Sequence, residues 1–453
     1  MAGLPAARAT AATRPPPPGP RAWGTLPTFD SVCSGPDGPI SEEDPVKQEQ
    51  QEQTLFAMAL GLGRPWQVKD IRFDAGRGQL DIEIDFERGA SFACPSCGAS
   101  GCKAWDSETK SWRHLNFFQH RCDLHARVPR VRCDSCQTTR LIEVPWARAG
   151  SGFTLLFEML VLAMAKDMPV AAVARLVGVH DTRIWRMVRG WVDRAREVRD
   201  DSGVRRVGVD EKSRRRGHRY VTTFTDLDAR KTLFVAEGKK ADSVRQFRED
   251  LHAHGGDPKA ITEFCCDMSE TYVSGIEEFF PKAAITFDKF HMVKIVSEAV
   301  AATRTEEAKE RPELAGLRYA FLKNPENLTN QQIDDLAPLA GVRRSTRKTV
   351  RAYHLRLAFQ ELFNQPTQNA KGYLESWCGW AARCRIQAMI EVARTMRRHM
   401  DGILRWFTSR ISNGVVEAIN GLIQSAIARA RGFRSVENLT TMIYLIAGKL
   451  VFQ

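Results

Sequence analysis

The stretch RRVGVDEKS (residues 205–213) starts the segment that decides the fold of this chain. Two more β-rich runs follow it, then an amphipathic stretch, ADSVRQFREDLHAHG (241–255), and then two further β-rich runs. Three consecutive strands, a helix and another strand predict an α/β domain built on one sheet. The four later strand candidates are HRYVTTFTDLD (218–228), KTLFVAEG (231–238), AITEFCCDM (260–268) and AAITFDKFH (283–291).

Carboxylates stand at the ends of the first and fourth strand candidates. Asp210 ends the run VGVD, and Asp267 ends the run EFCCD. The order of strands and helix is that of a ribonuclease-H-like domain, in which the first and fourth strands are neighbours. We therefore expect Asp210 and Asp267 to meet at one edge of the sheet.

A third carboxylate, Glu417, opens the helix candidate SNGVVEAINGL (412–422), far along the chain. Ser412 or Asn413 is predicted to cap this helix and Gly432 to end it. The helical period gives an apolar face for the core and a second face that directs Glu417 toward a cleft. The apolar face consists of Val416, Ile419, Ile423 and Ile427, and the second face carries Glu417, Asn420, Gly421 and Gln424.

Acids gathered from strand ends and a helix suit hard divalent ions. Carboxylates bind Mg²⁺ or Mn²⁺, and two such ions about 3.5–4 Å apart drive phosphodiester chemistry. Singly, each acid has a plainer interpretation, because an Asp at a strand end is commonly a turn residue and a Glu in a first helical turn complements the helix dipole. As an ordered set, Asp210, Asp267 and Glu417 favour a catalytic centre with two Mg²⁺ or Mn²⁺ ions.

Two C-x-x-C pairs predict a zinc ribbon. CPSCG contains Cys94 and Cys97, and VRCDSCQ contains Cys133 and Cys136. Each pair forms a knuckle that presents two thiolates, and two knuckles complete a closed tetrahedral site for one structural Zn²⁺. We expect this module to serve folding and DNA positioning. The intervening segment also carries residues that leave ligand exchange or a second ion open, although ordinary polar roles are the simpler interpretation: Cys102, His114, Cys122 and His125.

The segment PVAAVARLVGVHDTRIWRMVR (169–189) predicts a helix-turn-helix. Gly178 permits the turn, and Asp181 or Thr182 is the expected cap of the second helix. A helical hairpin used only for packing has the same pattern. The residues predicted to face the core are Val170, Val173, Ala174 and Leu176 on the first helix and Ile184, Trp185 and Val188 on the second. The residues predicted to contact DNA are His180, Thr182, Arg183 and Arg186.

Three motifs together resemble the transposases of the ISL-three group of bacterial insertion sequences. They are GVDE, CDMSETYVSGIEEFFPKAAITFDKFH and SNGVVEAINGLIQSAIARARGF, and the resemblance runs from about Leu55 to the C-terminus. It implies a D-D-E transposase with Asp210, Asp267 and Glu417 as its metal-binding triad. Asp288 and His291 match a D-x-x-H signature and are expected near the site as support, with Asn420. The sequence departs from the group at Gln424, where relatives commonly have a lysine.

The implied function is cleavage at the terminal inverted repeats of an insertion sequence and joining of the freed 3′-hydroxyl to target DNA. Such a protein is expected to act as a homodimer or higher oligomer on DNA. The main alternative is a catalytically silent DNA-binding regulator derived from a transposase. A nuclease that cannot join strands is a further option.

The charge of the 453-residue chain agrees with a DNA partner. Lys and Arg number 66 against 54 Asp and Glu, a net charge of +12. The most basic run lies in a mostly helical insertion (296–410), where a solvated face is the default and phosphate contact is the functional hypothesis. The DNA-contacting residues expected there are Arg343, Arg344, Arg347 and Lys348.

The remaining composition predicts location and boundaries. No stretch approaches a membrane span, so we expect a soluble, cytoplasmic, nucleoid-associated bacterial protein. The expected fold is a multidomain α+β protein. Its predicted parts are a disordered extension rich in Ala, Pro and Gly (1–52), the zinc ribbon (53–148), the helix-turn-helix (149–200) and a ribonuclease-H-like catalytic domain (201–453) interrupted by the insertion 296–410.

Overall fold

A computed structural model describes residues 45–215, 219–238, 241–337, 347–411 and 414–452. The chain divides into two compact units. Unit one comprises Met1–Ser111 and Cys122–Ile142, and unit two comprises Trp112–Arg121 and Glu143–Gln453. Within the described ranges, no helix is long and apolar enough to cross a membrane.

Unit one is built on a six-stranded sheet with the order β1-β2-β5-β4-β3, and β6 pairs with β5. The hairpin of β1 and β2 is antiparallel and pairs Trp66 with Phe86. The elements are α1 (Pro45–Ala59), β1 (Trp66–Asp74), β2 (Gln79–Phe86), β3 (Ser91–Phe92), β4 (Cys102–Arg113), β5 (Arg121–Arg132) and β6 (Thr139–Leu141).

The helix α1 differs from the expectation for the N-terminal extension. It begins at Pro45, inside the range 1–52 that we expected to be disordered. Its sequence PVKQEQQEQTLFAMA is rich in Gln and Glu and also contains Ala, Lys and Leu, all of which are good helix formers, and Pro is tolerated in a first turn. The rest of the extension, residues 1–44, lies outside the described residues.

Unit two begins with three helices, α2 (Leu155–Asp167), α3 (Val170–Val177) and α4 (Asp181–Glu197). In the described part of this unit, a five-stranded sheet and ten further α-helices follow. These elements are β7 (Arg206–Arg215), β8 (Arg219–Asp226), β9 (Lys231–Glu237), α5 (Ala241–Ala253), β10 (Glu263–Cys266), α6 (Glu270–Phe279), β11 (Ala284–Phe287), α7 (Lys289–Glu307), α8 (Asn330–Leu336), α9 (Lys348–Glu361), α10 (Thr367–Ala382), α11 (Gln387–Arg398), α12 (Met400–Ser409), α13 (Gly414–Arg429) and α14 (Val436–Ala447).

The sheet of unit two has the order β11-β10-β7-β8-β9. Strands β7, β8 and β9 are antiparallel neighbours, whereas β10 runs parallel to both β7 and β11. The pairing of Phe264 with Val207 makes the first and fourth strands adjacent, as expected. Asp210 and Asp267 therefore emerge at the same edge of the sheet.

The chain between β11 and α13 is mostly helical, although α7 already begins at Lys289. These helices share one hydrophobic core with the sheet. Trp377 belongs to that core and donates its Nε1–H to the carbonyl of Leu355 at 2.8 Å. Trp377 is therefore a buried core residue, whereas Trp380 is half exposed.

A second hydrophobic core joins the N-terminal helices of unit two to the last two helices. Ile184 and Val192 of α4 belong to the same buried cluster as Ile423 of α13 and Tyr444 of α14. Arg189 of α4 also donates to the side-chain oxygen of Asn438 at 3.0 Å. The helix α13, which carries Glu417 in its first turn, thus shares one hydrophobic core with α14 and with α2, α3 and α4.

Candidate active site and nucleic-acid interface

The four cysteines of the two knuckles converge. Their sulfurs all lie within 4.8 Å of one another, with Cys94 Sγ 3.7 Å from Cys136 Sγ and Cys97 Sγ 3.6 Å from Cys133 Sγ. A tetrahedral ion with Zn–S bonds of about 2.3 Å requires S–S distances of about 3.8 Å, so the donor set fits Zn²⁺. Backbone N–H groups of Cys136 and Ser135 lower the pKa of Cys133 to about 6, against the effect of burial.

The other candidate ligands of this segment have different roles. The ring of His125 lies between Ser111 Oγ (2.7 Å) and Asp81 Oδ1 (2.8 Å). The ring of His114 lies in unit two, 2.9 Å from the hydroxyl of Thr154, and burial lowers its pKa to about 4. Cys122 is buried, and Cys102 Sγ donates to the carbonyl of Ala99 at 3.6 Å. None of these four side chains belongs to the four-sulfur group.

The helix-turn-helix is formed by α3 and α4. Gly178 ends α3 with a φ of +65°, a conformation that glycine adopts without strain. The ring of His180, not Asp181 or Thr182, caps α4 and accepts the N–H of Thr182. Leu176 is 63% exposed, so its predicted core position is wrong. The predicted DNA-contacting residues His180, Thr182, Arg183 and Arg186 are all exposed.

A cleft of about 460 Å³ opens beside the middle of β7, at the point where its neighbour β10 ends. It brings the three predicted acids to one surface, together with both residues of the D-x-x-H motif. Its lining consists of Asp210, Glu211, Tyr220, Asp267, Asp288, Phe290, His291, Lys294 and Glu417.

Asp210 is held in place by two donors. Its Oδ1 accepts the N–H of Glu211 at 2.7 Å, and its Oδ2 accepts the side-chain amide of Asn420. Burial raises the pKa of Asp210, and the charge of Asp267 adds to this, while the two hydrogen bonds act in the opposite direction. Asn420 was expected on the face shared with Glu417, but it is buried because it reaches down to this carboxylate.

Asp267 and Asp288 are positioned by the starts of the helices that follow them. Asp267 accepts the N–H of Ser269 at 3.1 Å, and its Oδ2 lies 3.9 Å from His291 Nε2. Asp288 caps α7 by accepting the N–H of His291 at 3.0 Å. Because of the D-x-x-H spacing, Asp288 caps the first turn of α7 and the same turn directs the imidazole of His291 toward Asp267.

Glu417 lies in the first turn of α13 with its side chain exposed to the cleft. Desolvation raises its pKa, and the charges of Asp288 and Asp210 add to this effect. The predicted caps Ser412 and Asn413 lie outside the described residues. The helix ends at Arg429, and Gly432 was predicted to end it; Gly432 completes the capping turn with a φ of +93° and donates its N–H to the carbonyl of Ile427 at 2.8 Å, while Arg431 before it is also left-handed, with a φ of +54°.

The three acids share the cleft without closing to a tight cluster. In the described part of the chain, ligand atoms of three or more Asp, Glu, His or Cys residues lie within 4.8 Å of one another in two groups, the cysteines and a trio of Asp201, Asp250 and His254. The trio already contains a cation, because Arg199 Nη2 lies 2.7 Å from Asp201 and 2.8 Å from Asp250. We interpret it as a structural ion-pair network between α4 and α5.

Sequence reasoning missed several residues of the cleft. Glu211, the residue after Asp210 in β7, also borders it, as do Tyr220, Phe290 and Lys294. Lys294 lies three residues after His291, and this helical spacing is a signal that could have found it. Phe290 left no pattern in the sequence, yet it is 55% exposed beside the acids.

The basic run of the insertion is described only in part. Arg343 and Arg344 lie outside the described residues. Lys348 begins α9 with an exposed side chain, and its N–H donates to Glu307 Oε1 at 3.0 Å. Arg347 is half-buried. Phosphate contact by this run stays a prediction.

A cysteine cluster, a helix-turn-helix and an acidic cleft on an α/β sheet are the parts of a protein that binds and processes DNA. Family models match each part: "Transposase" over residues 207–443, "Helix-turn-helix domain of transposase family ISL3" over 142–192, and "zinc-finger of transposase IS204/IS1001/IS1096/IS1165" over 90–136. The chain belongs to transposase family ISL3. The resemblance inferred from its motifs is confirmed, and with it the function of an insertion-sequence transposase.

Similar proteins agree with this assignment. The chain is 31% identical over 431 residues to the transposase for insertion sequence element IS1557 of Mycobacterium tuberculosis, which covers 86% of this chain and 94% of that protein. It is 28% identical over 358 residues to the transposase for insertion sequence element IS1001 of Bordetella parapertussis, covering 76% and 86% of the two chains.

Proposed function

We propose that this transposase cuts DNA at the terminal inverted repeats of its element and joins the freed 3′ ends to target DNA, using Asp210, Asp267 and Glu417 as a D-D-E triad. The observation that carries the proposal is the common cleft of these three acids, which come from two adjacent strands and a distant helix. The strand order of unit two further supports a ribonuclease-H-like core with a helical insertion.

The cleft fits divalent metal ions. Its donors are carboxylate oxygens, which Mg²⁺ and Mn²⁺ prefer, and the raised pKa values of Asp210 and Glu417 reflect acids that burial and mutual repulsion destabilise when they are charged. Ligands of one ion lie within about 4.2 Å of one another, whereas two ions about 3.5–4 Å apart need a wider set. The looser arrangement of Asp210, Asp267 and Glu417, with Asp288 as a fourth carboxylate, favours two ions.

Two bound ions would activate the attacking oxygen and stabilise the leaving oxygen at phosphorus. The side chains around the acids set their orientation. Asn420 and the N–H of Glu211 fix both oxygens of Asp210. His291, directed at Asp267, and Lys294, at the rim, provide positive charge beside an incoming phosphate.

DNA recognition falls to the helix-turn-helix and the zinc ribbon. The exposed side chains of Thr182, Arg183 and Arg186 are suited to base edges and phosphates. We further propose that the protein acts as a homodimer or higher oligomer on DNA, because an element has two ends that must be cut together. Its place of action is then the bacterial nucleoid.

The experiment uses the full chain with an element-end duplex and Mn²⁺. Asp210→Asn, Asp267→Asn and Glu417→Gln are each expected to lower strand cleavage by at least about 10³-fold while DNA binding persists. Asp335→Asn, an exposed carboxylate on α8, is the matched control and should cleave normally. Cleavage that survives in all three triad variants would overturn the site. Binding without cleavage in the unaltered chain would instead favour the silent regulator.

A further inference from the structure

A cationic groove of about 400 Å³ lies between the helix-turn-helix and the connection from α13 to α14. We name it the α13–α14 groove and define it by Lys166, Arg429 and Arg434, with Trp185 and Phe433 among its apolar lining. It is separate from the acidic cleft at the other end of α13. Family membership assigns DNA binding to the helix-turn-helix domain at residues 142–192, which includes Lys166, and the groove adds Arg429 and Arg434 from outside that domain.

The three cations of the groove are exposed, and the Nζ of Lys166 lies over the ring of Phe452, 5.5 Å from its centroid. Lys166 lies in the last turn of α2, Arg429 is the last residue of α13, and Arg434 lies in the connection from α13 to α14. Within the described ranges, none of them is paired with a carboxylate, and Arg429 is positioned by donating to the carbonyl of Asp167. Asp181, an acid of the lining, lies 3.1 Å from His180 Nδ1.

The groove is continuous with the surface expected to contact DNA. Thr182 belongs both to the groove lining and to the exposed start of α4. Beside it, Trp185 packs edge-to-face on Phe433, with ring centroids 6.2 Å apart, so the two surfaces are held as one. The α4–α14 contact between Arg189 and Glu437, at 2.9 Å, fixes the same arrangement. A duplex seated on α4 therefore has a phosphate strand in reach of the groove.

The groove also stands at a defined distance from the catalytic cleft. Arg429 follows Glu417 by twelve residues of one helix, which is about 18 Å. The exposed face between them carries small or uncharged side chains, including Ala418, Gly421 and Ser425, so a DNA backbone can approach α13 closely. Along one strand at about 3.4 Å per nucleotide, this distance corresponds to about five nucleotides.

We propose that the α13–α14 groove binds the phosphodiester backbone of the same DNA duplex that the helix-turn-helix contacts, and that α13 spans the interval between this contact and the cleaved phosphate. The ligand class is duplex DNA backbone, which carries no sequence information. Each cation that neutralises a phosphate adds about 0.9 to the slope of log affinity against log salt. The groove thus contributes affinity and position, while base contacts remain with α4.

The test is a fluorescence-anisotropy titration of the full chain with a random-sequence 30-base-pair duplex, in EDTA, between about 50 and 200 mM salt. EDTA makes the result independent of the acids in the cleft. The double variant Lys166→Ala and Arg434→Ala is expected to reduce the slope of log affinity against log salt concentration by about 1.8. The fall in its affinity between about 50 and 200 mM salt should therefore be about 12-fold smaller than for the unaltered chain. Arg429 is kept because its contact with Asp167 is structural.

The control is Arg248→Ala, an exposed cation on α5 away from the groove. A double variant whose slope equals that of this control would overturn the proposal. The single variant Arg434→Lys keeps the charge and leaves Lys166 in place. It should therefore retain most of the slope of log affinity against log salt concentration. On an element-end duplex, a single neutral methylphosphonate linkage about five nucleotides from the cleaved phosphate should weaken DNA binding by the unaltered chain. Sensitivity confined to other positions would refute the interval along α13.

Discussion

The cysteine cluster of unit one and the acidic cleft of unit two are both candidate metal sites, yet they are organised differently. Four sulfurs of the ribbon lie within 4.8 Å of one another, whereas the three acids line one cleft without forming such a group. The ribbon draws its ligands in pairs from short knuckles, whose own N–H groups favour thiolates. The cleft draws single acids from β7, the end of β10 and α13.

The difference arises because local turns set the geometry of the ribbon, whereas the tertiary fold sets the geometry of the cleft. A knuckle is a local turn, so backbone hydrogen bonds, such as Gly98 N–H to the carbonyl of Cys94 at 2.9 Å, shape it before any ion arrives. The acids depend on the tertiary fold and repel one another, and both effects appear in the raised pKa of Asp210. The ribbon is therefore expected to need its ion to hold its two knuckles together in the folded state, and the cleft to need ions for chemistry.

The largest expected effect is loss of the ribbon zinc. Cys133→Ser should abolish zinc binding and unfold unit one, because structural zinc in such sites is worth on the order of 10 kcal/mol. Zinc content and limited proteolysis measure the outcome. Cys102→Ser, a neighbouring thiol outside the four-sulfur group, is the matched control and should keep its zinc. Equal loss in both variants would contradict the four-cysteine site.

The next effect concerns His114, which lies beside the ribbon segment in sequence without being a ligand. Its pKa of about 4 lies below its ordinary value, so the folded state disfavours the charged ring. Stability should be full above about pH 6.5 and fall by about 3 kcal/mol as the pH drops to 4.

The variant His114→Gln should remove most of this slope, because Gln does not titrate. Chemical denaturation at pH 7, 5.5 and 4 measures the effect. His125→Gln, whose ring lies between Ser111 and Asp81, serves for comparison. A slope that persists unchanged in His114→Gln would place the buried neutral histidine elsewhere.

A smaller effect tests the support of the cleft. Asn420→Ala removes the amide that holds Asp210, so cleavage should fall by about 10- to 100-fold, a range known for residues that orient metal ligands. The midpoint of thermal unfolding and the affinity for DNA should change little. Gln424→Ala, exposed on the same helix, should retain normal cleavage. Similar losses in both variants would assign the effect to α13 as a whole.

The smallest effect is a gain in stability. Because the folded state raises the pKa of Asp210, its charged form is disfavoured at neutral pH. Asp210→Asn in EDTA should therefore raise the unfolding temperature by on the order of 1 °C at pH 7.5. The gain should vanish near pH 3.9, where the wild-type group is itself protonated. A destabilised variant at pH 7.5 would show that the hydrogen bonds to Asp210 outweigh repulsion.

Residue patterns predicted most of the framework. The strand segments, the two knuckles and the turn at Gly178 follow from local chemistry, namely apolar runs, thiolate spacing and a glycine in the left-handed region, whereas the adjacency of the first and fourth strands was expected from the ribonuclease-H-like order. Glu417 was identified from the order of motifs. The knuckles, the turn and the individual strand segments were predictable because each depends on a few residues close together in sequence.

The remaining features depend on three-dimensional contacts that no local pattern records. Asn420 shares a helical face with Glu417 in the periodicity, but Asp210 draws it into a buried position. The charge of Asp288 acts on Glu417 across more than a hundred residues. The cap His180 is unusual, since Asp181 and Thr182 are the commoner capping types. Leu176 fits an apolar stripe, yet it remains in solvent.

The common core of α2, α4, α13 and α14 has a practical consequence for retargeting. Exchanging the helix-turn-helix for that of another family member would also replace half of the interface on which Ile423 and Tyr444 pack. A graft confined to residues 142–192 would thus disturb the packing of α13, the helix that carries Glu417. A graft that also includes α13 and α14 would keep the contacts between these helices. In this architecture, the module proposed to recognise the element ends is coupled through one hydrophobic core to the helix that carries Glu417.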